Sequence, residues 1–134
     1  MSFELQAKSC KILYMETAKG FKSLLVWQKS FILTKKVCVS FGGCRDFSFK
    51  DQIQRASISV MNNITEGSAR KSDKAFYNYL SIAKGSCAEV ESMLLIGADL
   101  NYLSIDNQKE LLEINEETAK LLNGLMKKLK AQGP

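Results

Sequence analysis

Along "QRASISVMNNITEG", residues 54–67, the polar residues Arg55, Ser59, Asn62 and Glu66 recur every three or four positions. At 100° per residue they fall within about 60° of one another on a helix, opposite Ile53, Val60 and Ile64. Glu66 would sit in the last turn, where unpaired carbonyls disfavour an anion, so Arg55 or Arg70 is its expected partner. One chemistry open to this stripe is a satisfied hydrogen-bond network of Arg55, Ser59, Asn62, Glu66 and Arg70, within a protomer or between subunits, holding the corner between two helices. The other is phosphate contact through Arg55 and Arg70, followed by Lys71 and Lys74. Both hold together if the network orients an arginine whose planar fork faces a ligand.

Catalytic chemistry finds little to work with. The chain has no histidine, no glycine-rich phosphate loop opens a helix, and no serine or cysteine has an evident activating base. Glu89 and Glu91 stand two apart and do not share a helix face, and the Glu-x-x-His pairs of a carboxylate metal bundle are missing. The four cysteines, at 10, 38, 44 and 87, form no CxxC pair and offer no zinc spacing. Cys38 and Cys87 fall on expected core faces, where free cysteine packs as a small hydrophobe. The expectation is a non-enzyme with no cofactor and no metal, in a reducing, cytoplasmic setting.

Charge suggests a partner. The net charge is +5 and the pI about 9.0. Residues 1–71 carry 12 basic and 5 acidic side chains, whereas 72–134 carry 7 and 9. Lys22, Lys29 and Lys36 recur every seven residues and form one line. A basic surface built from the first two helices is therefore expected, able to meet RNA, DNA or another polyanion, or serving only as a solvated, solubilising face.

The elements that must carry these residues are helical. A chain of 134 residues that is 46% hydrophobic fits one domain, and its single proline is the last residue, so nothing inside breaks a helix. Helix one is expected over about 21–41, with Leu24, Trp27, Phe31, Thr34 and Cys38 as its core face and Phe21, Leu25, Ile32 and Val39 as a second apolar stripe. Helix two opens at "SFKD", with Ser48 as N-cap and Asp51 in the reciprocal position, and ends at Gly67. It buries Ile53, Ala56, Ser57, Val60 and Ile64. Ser72 or Asp73 caps helix three, which runs to about Leu100 and whose Ala83, Gly85, Ser86, Gly97 and Ala98 permit close approach of a neighbour. Ser104 or Asp106 caps helix four, which runs to about Lys130 with Leu111, Ile114, Thr118, Leu121, Leu122, Leu125 and Leu129 inward.

Short connections between long helices make the expected fold an all-α, antiparallel, up-down-up-down four-helix bundle over residues 21–130, with a tail at 131–134. Residues 1–20 form an N-terminal extension whose structure the pattern does not decide. No apolar run is long enough for a membrane span or a signal peptide, so no membrane partner is expected. The apolar surface on helices one and two is wider than one seam requires, which points to association with further subunits.

Three segments carry a family likeness: "LLVWQKSF", "QIQRASISVMNNITEGSARKSDKAFYNYLSIAKGS" and "AEVESMLLIGADLNYL". Together they resemble the four-helix-bundle proteins encoded in intervening sequences of bacterial 23S ribosomal RNA genes, and the related accessory variability determinant of diversity-generating retroelements. The likeness spans roughly 21–130. It implies a ring-like homopentamer with a basic surface, and the retroelement members add nucleic acid and a reverse transcriptase as partners. The family's Asn-Ile-x-Glu-Gly segment falls at Asn63, Ile64, Glu66 and Gly67, and its arginines at Arg55 and Arg70. Two departures stand out. The loop "GGCRDFSF" lacks the family's frequent proline, and residues 1–20 have no counterpart.

The resulting expectation is an oligomer whose basic face, with Lys22, Lys29, Lys36, Arg55, Arg70, Lys71 and Lys74 as candidates, binds RNA or another nucleic acid. Its rival is a protein-interaction scaffold with no nucleic-acid role.

Overall fold

The computed structural model describes residues 20–132. The N-terminal extension other than Gly20, and the last two residues of the tail, lie outside the described residues. A 3₁₀ turn at Gly20–Ser23 leads into α1, Leu25–Ser40, followed by α2, Phe47–Ser68, α3, Asp73–Asp99, and α4, Ile105–Gln132. Among the described residues there is no strand, and the all-α, four-helix expectation stands.

The helix ends follow from local chemistry. Asp46, not Ser48, caps α2: its carboxylate accepts from the Phe49 backbone N–H at 3.1 Å. A carboxylate also suits the positive end of the helix dipole better than a hydroxyl does, and Ser48 and Asp51 are left inside the first turns. Ser72 caps α3 through Ala75 N at 3.1 Å, and Ser104 accepts from Asn107 N at 3.1 Å at the head of α4. At the end of α3, Asn101 takes φ of 60°. Tyr102 N then reaches Gly97 O at 2.8 Å and Asn101 N reaches Ala98 O at 3.0 Å, which is the Schellman pattern that satisfies terminal carbonyls.

The core divides into two adjoining clusters. One joins Leu33 and Val37 of α1, and Phe41 at its C-cap, to Ile53, Val90, Leu94 and Leu111. The other joins Val26 and Trp27 to Val60, Ile64, Leu80, Cys87, Leu122 and Met126. The buried faces of α2 and α4 are largely those that their periodicity marks. On α1 the buried face is Val26, Trp27, Ser30, Leu33 and Val37, rotated from the expected stripe, which leaves Leu24, Phe31, Thr34 and Cys38 only half-buried. The reason is physical: α1 is apolar nearly all round, so its own pattern selects no face, and the neighbours decide.

Gly67 shows why α2 and α3 approach so closely at their corner. A Cβ there would stand 2.8 Å from both Phe76 Cδ1 and Tyr79 Cβ. Gly97 is also crowded, with Leu103 and Phe49 within 3.4 Å of such an atom. Gly85 differs, for a Cβ there would meet nothing within 4 Å, and the large apolar residues Ile82 and Ile96 are exposed on the same helix, with Leu100 exposed at its C-cap. Leu25, Val39, Phe47, Ile58 and Ile105 are likewise exposed.

Candidate functional site

The polar stripe of α2 is not one network but three local ones. Arg55 Nε donates to Asp51 Oδ2 at 2.8 Å, one turn back on the same exposed face. Ser59 and Ser86 share a hydroxyl hydrogen bond of 2.8 Å across to α3, and the Asn63 amide, rather than that of Asn62, donates to the Ser59 carbonyl and hydroxyl. Asn62 is exposed and finds no side-chain partner among the described residues. At the corner, Arg70 Nη2 donates to Glu66 Oε2 at 3.3 Å and to Tyr79 Oη at 2.8 Å, with its guanidinium 5.1 Å from the Tyr79 ring centre. Glu66 thus has the cation its terminal position calls for, and Arg70 is anchored at the α2–α3 corner. Lys71 and Lys74, exposed beside it, have no acidic partner among the described residues.

The lysine line of α1 faces acids, not open solvent. Lys29 Nζ donates to Glu117 Oε2 at 2.8 Å, and Lys36 pairs with Glu110. Lysines seven apart on α1 meet glutamates seven apart on α4, so two rungs tie the first helix to the last. Lys22 lies in the 3₁₀ turn with its Nζ 5.9 Å from the Phe21 ring centre.

Cations without acidic partners gather elsewhere. Between α3 and α4, a groove of about 420 Å³ is lined by Tyr77, Lys84, Asn123, Met126, Lys127 and Lys130. Among the described residues no carboxylate lines it. Tyr77 and Met126 belong to the second core cluster or pack on it, so the groove has an apolar floor beneath three exposed ammonium groups. Its neighbour along the same two helices, about 480 Å³, shares Lys84 and is walled by Ala88, Leu95, Leu112 and Ala119. There the Asn115 amide nitrogen donates to Cys87 O at 2.9 Å while its buried Oδ1 has no partner. Burial pushes the Cys87 thiol up to about 12, so it stays protonated and serves as packing.

Lys84, Lys127 and Lys130 escape a reading by halves because the glutamates in the first half of α4 cancel them in the sum. The signal that finds them is spacing: Tyr77 and Lys84 are seven apart on α3, and Asn123, Lys127 and Lys130 follow at four and three on α4.

Comparisons agree with this architecture. No curated protein matches the chain. A crystal structure of a protein of unknown function from the S23 ribosomal protein family of Bacteroides thetaiotaomicron superposes with a TM-score of 0.71 at 23% identity. The match covers 77% of this chain and 96% of that one. The profile described as 23S rRNA-intervening sequence protein matches residues 22–124, the stretch that holds α1, α2, α3 and most of α4. The chain belongs to the 23S rRNA-intervening sequence protein family.

Proposed function

We propose that the chain is a non-enzymatic, homo-oligomeric four-helix bundle whose cationic surface binds RNA or another nucleic acid with little sequence preference. The observation that carries this reading is that Lys71, Lys74, Lys84, Lys127 and Lys130 are exposed and have no acidic partner among the described residues. Contact pairs whose numbers run in opposite directions, Gln52 with Glu89 and Ser59 with Ser86, support antiparallel neighbours within the bundle. The exposed Ile82, Ile96 and Leu100 support burial against a further copy, and the family resemblance makes the proposed assembly a homopentamer. Nucleic acid and other copies of the chain are its partners, a cytoplasmic setting is part of the proposal, and the retroelement likeness adds a reverse transcriptase.

Fluorescence anisotropy with labelled RNA across a salt series tests the reading. Binding should weaken by a log–log slope of about −0.7 for each phosphate contacted on a single strand. Absent or salt-independent binding would overturn it. The exposed apolar wall at Leu95 favours one rival, a protein-docking scaffold, and a partner protein retained in pull-down after nuclease treatment, with no RNA binding, would establish that instead.

A further inference from the structure

We infer that the groove between α3 and α4 at Tyr77, Lys84, Asn123, Met126, Lys127 and Lys130 takes a single-stranded segment of nucleic acid, with phosphates on the lysines and a base against Tyr77. This rests on the nucleic-acid reading above and gives it a place, which is not the α1–α2 face that the charge count suggests.

Three observations converge on the groove. The first is the fate of the cations on the polar stripe, the lysine line and the outer face of α4, as against those in the groove. Lys29, Lys36, Arg55, Arg70 and Lys120 each have a carboxylate within 3.3 Å, so a phosphate would have to compete with an existing pair. Lys84, Lys127 and Lys130 have no such competitor among the described residues. Glu91 and Glu116 line the adjoining stretch of groove, where Glu116 is paired with Lys120 at 3.3 Å, and neither lines the stretch that holds Tyr77, Lys127 and Lys130.

The second is the floor. Tyr77 is half-buried against the second cluster and Met126 is 8% exposed. An aromatic ring beside a thioether offers a base a flat, polarisable contact. An acidic peptide would use only the lysines. The third is Asn123, whose amide is unclaimed by any residue described and can give one hydrogen bond and accept another at a base edge.

A single strand fits better than a duplex. The groove is bounded by two helices and carries one aromatic ring, and an unstacked base can lay its face on Tyr77 where a duplex keeps its bases stacked inside. A volume of about 420 Å³ lies in the range of clefts that hold small organic groups.

The test measures anisotropy of a labelled single strand of about 12 nucleotides, within the site sizes usual for such grooves, on the full chain and five variants. Tyr77→Leu should bind about tenfold more weakly with an unchanged salt slope, and Tyr77→Phe should bind as the parent does. Lys84→Gln with Lys127→Gln should reduce the magnitude of the log–log salt slope by about 1.4. Lys29→Gln with Lys36→Gln should leave binding unchanged. Circular dichroism checks each fold, and a fluorescent purine analogue in the strand should be quenched on the parent protein, which reports stacking without any substitution. If the parent binds but the groove variants match it, or if binding falls in an Arg55→Ala, Arg70→Ala variant instead, the groove assignment fails and the function stands. Unquenched purine fluorescence, or equal competition by polyglutamate, also overturns the groove. If the parent binds no nucleic acid at all, the functional reading itself falls.

Discussion

The Tyr102 hydroxyl donates to the Asp46 carboxylate at 2.7 Å, joining the turn before α4 to the cap of α2. The same carboxylate holds the Phe49 N–H, so one acid closes both the start of α2 and the loop opposite. Tyr102, chiefly, and then the Phe49 amide hold the Asp46 carboxyl below its usual 3.8. The bond in turn raises Tyr102 above its usual 10.0. A depressed acid stabilises the fold above its unfolded value and loses that contribution as pH falls through the folded one. Tyr102→Phe should therefore flatten the decline in melting temperature below about pH 4, and a melting series in acid checks it. At the alkaline end the sign reverses. The raised phenol stabilises below pH 10 and is lost above it, and Asp46→Asn should remove that loss.

Gly67→Ala should destabilise by about 1–3 kcal/mol, because the added methyl meets Phe76 and Tyr79 at 2.8 Å and forces α2 from α3. The gain in helix propensity, about 1 kcal/mol, does not offset this. Gly124→Ala, with nothing within 4 Å, should stabilise by about 0.5–1 kcal/mol. Urea denaturation of the pair separates crowding from propensity.

Ile82→Glu or Ile96→Glu should lower the particle mass seen by light scattering if the exposed face of α3 packs on another copy. Each residue is about half exposed in one protomer, so neither change disturbs the core. A mass equal to the parent's, or a monomeric parent, sinks the assembly proposed here.

Asn115→Leu should be neutral or stabilising. Its Oδ1 is buried without a partner, and removing an unsatisfied acceptor recovers up to about 1–3 kcal/mol, against the single bond lost to Cys87 O. A large loss of stability would mean that this oxygen has a partner in solution.

What the sequence reveals of the fold depends on how sharply each helix is patterned. Ile53, Ala56, Ser57, Val60 and Ile64 of α2 lie opposite the polar Arg55, Ser59, Asn62 and Glu66, and all five are buried. No such contrast exists on α1, where Val26, Leu33 and Val37 compete with Leu24, Phe31 and Cys38 for the same core. The helix-two start carries two capping signals, Asp46 and Ser48, and only the loop geometry chooses between them. Pairings such as Lys29 with Glu117, 88 positions apart, are invisible to any local rule. The same holds for the groove, because its two walls come from different helices.

The rungs between α1 and α4 have a further consequence. Lys22, Lys29 and Lys36 stand at a repeat of seven, as do Glu110 and Glu117. A two-turn slide of α4 would set Glu117 opposite Lys22 and Glu110 opposite Lys29, satisfying the charges equally well. Exposed pairs of this kind contribute about 0–1 kcal/mol each and cannot arbitrate. The vernier that chooses is the core: the slide would carry the buried Asn115 into the place of Leu122, within the cluster of Val60, Ile64 and Leu80, and an amide in an apolar site is costly, so an uncharged side chain decides where the ionic ladder engages.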